Sequence, residues 1–390
     1  MSWPERRGTR PAVVIAAMLV PAVMVAVASC TASSPDRSAP RSPVPAATRL
    51  PAASPQATSR TGSPNVYGHT RRGAMSPALA AVPERVYVPN SESGSVDVID
   101  PRTFRVVAHF PVGQYPEHIT PSWDLRWLYV NNTYSNSLTV IDPRKGRPSG
   151  KLIHVTDPYN LYFTPDGQKA IVVAERYRRL DFYDPRSWRL LASIAIPAPG
   201  PDHLDFSADG RSLVVSTEFS GWIFRVSIVS MRVTGRSHVG GLPVDVKLSP
   251  DGHAYYVANQ GLGGVTIVNA RTLHRIRFLT TGAGAHGLAV SRDTKYLYVS
   301  NRLSGTISKI SFATRRVAAT WHVGGSPDML QVSADGEQLW ASNRFSNSVS
   351  VISTRTGRVL HLIPVGASPH GLCMFPQPGR YSVGHNGVYR

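Results

Sequence analysis

Histidines and carboxylates recur at one position of this chain. Glu117 and His118, Asp202 and His203, Asp245, His286, Asp328 and His370 all stand at the opening of a repeated Pro-x-x-apolar-x-apolar pattern, with Asn160 in the equivalent place between them. Imidazoles and carboxylates that converge can hold a divalent metal, or supply an acid and a base in a solvated cleft. A divalent metal is therefore the candidate cofactor, with His118, His203, His286 and His370 as candidate ligands. A structural reading stands beside it: short polar side chains can satisfy backbone groups of a neighbouring unit. Catalytic residues cannot be named from spacing.

A repeat must position these residues. Tyr87-Val88-Pro89-Asn90 returns as Tyr129-Val130-Asn131-Asn132, Tyr256-Val257-Ala258-Asn259 and Tyr298-Val299-Ser300-Asn301, and weaker copies end at Glu175, Thr217 and Asn343. The seven end positions follow one another at 42 or 43 residues. Each unit holds four short runs of strand character, as in Gly287 to Val290, Tyr296 to Asn301, Thr306 to Ser311 and Val317 to Val323. Tight turns separate them: Pro165-Asp166-Gly167, Pro250-Asp251-Gly252, and the Asp-Pro pairs at Asp100, Asp142 and Asp184. No segment shows a sustained helical period. Four antiparallel strands per unit of this length make a propeller blade, and seven blades close a ring.

The expectation is an all-β fold, a seven-bladed β-propeller of four-stranded antiparallel blades over residues 84–390. In such a meander the loops into the innermost strand a and the loops between strands b and c share one face. Glu175, Arg176, Arg178, Arg179, Glu218, Arg302 and Arg344 then join the His and carboxylate series on one rim. Strand Arg85 to Asn90 enters out of phase, so Gly371 to Phe375 completes the same blade. A surplus run, Tyr381 to Gly387, is left to pair at that joint or to cap it. Cys373 sits between apolar residues and reads as core.

The Tyr-Val-x-Asn strand, the Val-x-Val-Ile-Asp strand (Val96 to Asp100, Leu138 to Asp142), the Val-Gly-x-x-Pro turn (Val323 to Pro327, Val365 to Pro369) and the Ser-Pro-Asp-Gly turn together resemble the YVTN, or YncE-like, β-propeller repeats. The resemblance covers residues 84 to about 376. Related propellers include surface-layer proteins, lactonases, and haem d1 and quinoprotein dehydrogenase domains, so the resemblance implies a fold that hosts several functions and decides none.

The N-terminus reads as an address. Arg6, Arg7 and Arg10 precede an uncharged apolar run from Ala12 to Ala28, which suits a secretory signal over residues 1–29. The run ends in Val27-Ala28-Ser29-Cys30, which resembles a bacterial lipobox and marks Cys30 for lipidation. Residues 30–83 are rich in Pro, Ala, Ser and Arg with no hydrophobic period, the composition of a disordered tether. With Cys30 lipidated, only Cys373 of the 2 cysteines remains, so no internal disulfide is expected.

The formal net charge is +18. The signal's three Arg and one Glu and the tether's six Arg and one Asp carry +7 of it, so much of the basic balance is not a recognition surface. GxSxG, Walker, HExxH and CxxCH motifs are absent. The sequence thus points to an exported, lipid-anchored, monomeric propeller on the outer face of the cytoplasmic membrane or in the envelope, binding a small ligand or an envelope protein, with nucleic acid not expected as a partner. The competing reading is a metal- or cofactor-dependent enzyme, a lactonase or hydrolase or a quinoprotein-like oxidoreductase, with its site at the channel mouth.

Overall fold

The computed structural model describes residues 65–390. The expected signal, the lipidation site Cys30 and the tether as far as residue 64 lie outside the described residues. Seven sheets form from short strands in a ring. In five of them the order is sequential throughout, as in Pro116–Pro121, Leu128–Asn132, Ser137–Asp142 and Arg147–His154, and a sixth adds two strands of the C-terminal tail to four sequential ones. The remaining blade is closed by both ends of the repeat region: Cys373–Phe375 lies inside Arg85–Asn90, with Val86 opposite Met374. This is the clasp expected from the out-of-phase repeat.

Burial explains the strand composition. The inner strands, such as Pro158–Phe163 and Pro201–Phe206, are buried on both faces, whereas the outer strand Arg105–Pro111 is largely exposed. The core lies between neighbouring blades, and the inner strands also bury polar residues, as in Pro116–Pro121 and Pro201–Phe206. Tyr162, Val173 and Phe182 of one blade, for example, pack with Leu204, Val215 and Phe224 of the next. Each such fully buried side chain contributes about 1.5–3 kcal/mol. Asp100, Asp142 and Asp184 turn the chain on the far face, each accepting from the backbone N–H two residues on at 2.9–3.0 Å. Among the described residues, no helix is long and apolar enough to cross a membrane.

Two segments depart from the sequence reading. Residues 65–83, assigned to the disordered tether, lie against the propeller: Tyr67 is buried and donates to Leu248 O at 2.9 Å, and Leu79 and Val82 join a core cluster. A few apolar residues without a period are enough here because the surface they bury against already exists. The second departure is the surplus tail. Ser382–Gly384 pairs with the inner strand Pro158–Phe163 and returns as Val388–Tyr389, so this blade's sheet has six strands. The tail does not pair with the strands of the clasp, although Tyr389 packs in one cluster with Tyr87, Cys373 and Phe375 there. It enters the ring.

Candidate functional site

The inner strands share a local irregularity that builds the site. Registers shift after the first residue of the strand, between Pro116 and Ile119, Pro201 and Leu204, Pro243 and Val246, Ala285 and Leu288, and Pro327 and Leu330. A bulge of this kind frees residues from the ladder and re-aims their side chains. The freed residues are those singled out by type: Glu117 and His118, Asp202 and His203, Asp245, His286 and Asp328. The repeat supplies partners for the backbone groups that the bulge releases. Ser216 Oγ accepts from His203 N at 3.2 Å and donates to Val244 O at 2.5 Å; Ser300 Oγ accepts from Gly287 N at 2.8 Å and donates to Asp328 O at 2.5 Å.

All eight candidate residues reach the channel, and each is at most 4% exposed. The ring centroids of His118 and His370 are 4.5 Å apart, those of His118 and His203 5.1 Å, and those of His286 and His370 5.6 Å. Burial holds His118, His286 and His370 well below the ordinary imidazole range, helped by neighbouring histidines and, for the latter two, by Arg302 or Arg344.

The structure divides the candidates into two groups. His286 Nδ1 is 3.0 Å and His370 Nδ1 2.7 Å from Asp328, which also accepts from Arg302 Nε at 2.7 Å. Burial pushes the Asp328 carboxyl up, but Arg302, His286 and Arg344 outweigh it and hold it low. Glu117, with Arg344 at 3.5 Å and Ser91 at 3.3 Å, closes this charged half. On the other side His118 and His203 meet a residue that the repeat does not contain, His385. One ring nitrogen from each of the three lies within 4.8 Å of the others. The expected metal set therefore changes: His286 and His370 are turned to Asp328, and His385 takes their place.

His385 and Asn386 form the tip of the tail hairpin, at φ 37° and 49°, with Gly384 and Gly387 on either side. Two consecutive left-handed residues define the tight hairpin turn that matches strand twist. The tip is fixed by His385 N donating to Leu161 O at 3.0 Å and by Asn386 Oδ1 at 3.1 Å from His118 Nδ1. Gly371 makes room for it: a Cβ there would lie 2.5 Å from Asn386 Oδ1. At the hairpin's base Arg390 pairs with buried Asp205 at 2.6 Å and lies over the Tyr67 ring. Asp245 belongs to this floor as well, 2.9 Å from Lys247 and 3.6 Å from His385. Burial raises the Asp245 carboxyl, but Lys247 and His385 overcome that and hold it well below its usual range.

Above the histidines, Glu175, Asp202 and Glu218 bring one oxygen each within 4.8 Å of one another. Burial and the mutual charge push Glu175 up to about 9 and Glu218 up to about 8. Around this acidic centre the b to c turns present Tyr134, Tyr177, Phe219, Leu262, Leu303 and Phe345, all exposed, Leu303 by 71% and Phe345 by 65%. Six of the seven turns thus carry a large apolar side chain in solvent, a signal present in the sequence as one such residue in each of these polar turns. Cys373 is buried in the core, and burial raises its thiol, consistent with a packing role.

Seven four-stranded blades closed into a ring, with the C-terminal hairpin in the throat, define a β-propeller. The family model for YNCE-like β-propellers matches residues 16–379, and the chain belongs to that family. No curated protein matches it. Solved structures of similar fold include the hydrazine synthase of Kuenenia stuttgartiensis (24% identity, TM-score 0.61, 71% of this chain and 94% of that one). Dihydro-haem d1 dehydrogenase NirN in complex with DHE is similar at 16% identity and a TM-score of 0.59, over 75% of each chain. A protein of unknown function from Desulfotomaculum acetoxidans is similar at 16% identity and a TM-score of 0.64, over 74% of this chain and 98% of that one. At these identities the likeness is one of fold.

Proposed function

We propose that this protein is an exported, lipid-anchored monomeric propeller that docks an envelope protein onto its open channel mouth and performs no bond-breaking chemistry. The observation that carries this reading is the rim of exposed apolar side chains, Tyr134, Tyr177, Phe219, Leu262, Leu303 and Phe345, around an acidic centre. An exposed apolar ring of this extent is costly unless something covers it. Arg176, Arg302 and Arg344 are paired with Asp157, Asp328 and Glu117, so the crowded acids left over at the centre, which burial and mutual charge keep protonated, would regain their ionised form against a cationic side chain of the partner. The reading therefore commits to a protein whose contact surface is apolar with a Lys or Arg at its middle. Binding is favoured over turnover because the histidines are at most 4% exposed and the hairpin tip occupies the throat beside them, leaving no room for an organic substrate to reach a general base. Export and anchoring rest on the signal-like run before Cys30 and the Pro-rich segment after it.

The test is site-specific photocrosslinking in intact cells, with the crosslinker in place of Phe219 or Phe345 on the mouth, or of Val229 on the opposite face. A discrete adduct from the two mouth positions and none from Val229 is the expected outcome. No adduct from either mouth position, or the same adduct from all three, overturns the docking reading. Hydrolysis of a lactone panel by the purified chain, lost in His203→Ala, would overturn the non-catalytic part.

A further inference from the structure

The throat beneath the mouth carries a second arrangement that docking does not use. His118 Nε2 and His203 Nε2 are fully buried and have no hydrogen-bond partner among the described residues; His370 Nε2 and His286 Nδ1 share that property, but it is His118, His203 and His385 that bring one nitrogen each within 4.8 Å of one another. Their other nitrogens are occupied in a way that sets the tautomer. A carboxylate only accepts, so the contact between His203 Nδ1 and Asp202 Oδ1 places the ring proton on Nδ1 and leaves the Nε2 lone pair free. Asn386 Oδ1 does the same for His118 at 3.1 Å. His385 runs the other way: Asp245 stands 3.6 Å from its Nε2, while its Nδ1 faces the Asn160 amide at the long distance of 3.5 Å.

The geometry points to a transition-metal site, in which His118, His203 and His385 together bind one ion of the imidazole-preferring kind such as Zn²⁺. The C-terminal hairpin is thereby a ligand-bearing arm of the propeller. Buried lone pairs held by carboxylate and amide partners on the opposite ring nitrogen are the arrangement that orients histidines toward a metal. Three nitrogen donors favour zinc, copper or nickel over magnesium and calcium. Donors around a tetrahedral Zn²⁺ stand ~3.3 Å apart, so donors already within 4.8 Å close on an ion by modest ring rotations. The site does not depend on the docking reading: its three ligands lie below the rim, and Asp202, which orients His203, is the one residue it has in common with the acidic centre.

The full-length protein, stripped with a chelator, would be titrated with Zn²⁺ by calorimetry and with Co²⁺ by visible absorption. One equivalent of Zn²⁺, with the intense visible bands of tetrahedral Co²⁺ in the parallel titration, is the expected result. His203→Ala and His385→Ala should each weaken binding at least tenfold and remove the bands, while His286→Ala changes affinity less than twofold. Should His203→Ala fold poorly, His385→Ala is read alone, because its side chain sits on a surplus hairpin. A second readout follows the arm itself: Zn²⁺ should slow release of the C-terminal residues by carboxypeptidase at least tenfold in the wild type and not in His385→Ala. No stoichiometric binding, or binding unchanged in His385→Ala, overturns the site and leaves at most surface histidines binding the ion.

Discussion

Asp202 and His203 are neighbours in the chain, yet the carboxylate of one holds the imidazole Nδ1 of the other. In a regular strand consecutive side chains point to opposite faces. The bulge between Pro201 and Leu204 removes that constraint and turns both into the channel. The pairing leaves Asp202 Oδ2 and His203 Nε2 buried without partners, one toward the acids of the mouth and one toward the histidines of the throat. Asp202 is the residue shared by the two clusters.

Asp202→Asn therefore tests how the throat is tuned. The amide keeps an oxygen for His203 but loses the charge, and the loss of an outer-shell carboxylate of this kind weakens metal affinity by roughly 10–100-fold. Zn²⁺ titration of the variant should fall in that range. The same change relieves charge crowding on Glu175 and Glu218, so the variant should be at least as stable as the wild type without metal, as measured by calorimetry in chelator.

The acids of the mouth predict a pH dependence with a definite sign. Glu175 is raised to about 9 by burial first, then by Asp202, Glu218, Glu117 and Asp157, and Glu218 to about 8 by burial and Asp202, with Arg302 and Arg344 opposing. In the unfolded chain both titrate near about 4.3. Between those values the folded protein holds more protons, so stability that is complete below the unfolded value is lost as pH rises through about 8 to 9. In chelator, Tm should fall from about pH 6 to about pH 10, and Glu175→Gln should flatten that slope. Parallel slopes for the two proteins would contradict the crowding.

The ring was legible because its turn chemistry and its Tyr-Val-x-Asn strand repeat at a nearly constant interval, and local signals that agree seven times over leave little room for another fold. The candidate residues were legible for the same reason: Glu117, His118, Asp202, His203 and the rest stand where each blade begins. Which of them meet was not legible, because His286 and His370 are sorted from His118 and His203 by Asp328 and by the tail. His385 lies outside the repeat, although Gly384-His385-Asn386-Gly387 carries the residues of a tight hairpin turn and could have been read as one. The packing of residues 65–83 escaped notice because Tyr67, Leu79 and Val82 are too sparse to show a period and bury only against a finished surface.

Cys30 carries the expectation of a membrane anchor. Lipid modification of that thiol supplies the two or more acyl chains that stable anchoring requires. Cells fed an alkyne fatty acid should label the wild-type protein, and Cys30→Ala should lose the label and move from the membrane fraction to the soluble one. A Cys30→Ala protein that stays labelled or membrane-bound would remove the lipid anchor from the proposal.

Gly371 links the ring closure to the tail. It lies between strand Arg85–Asn90 and the hairpin tip, and a Cβ there would stand 2.5 Å from Asn386 Oδ1, 2.8 Å from the Glu117 carbonyl and 3.0 Å from His118 Nδ1. Overpacking of this sort costs about 1–3 kcal/mol. Gly371→Ala should lower Tm and speed carboxypeptidase release of the C-terminal residues, because the hairpin is the element most able to move. Asn386→Gly removes one of the three clashes, so Gly371→Ala with Asn386→Gly should be destabilised by less than the sum of the two single changes. Strict additivity would mean that Gly371 is pressed by the Glu117 carbonyl and His118 without Asn386, and that the hairpin tip does not sit firmly in the throat.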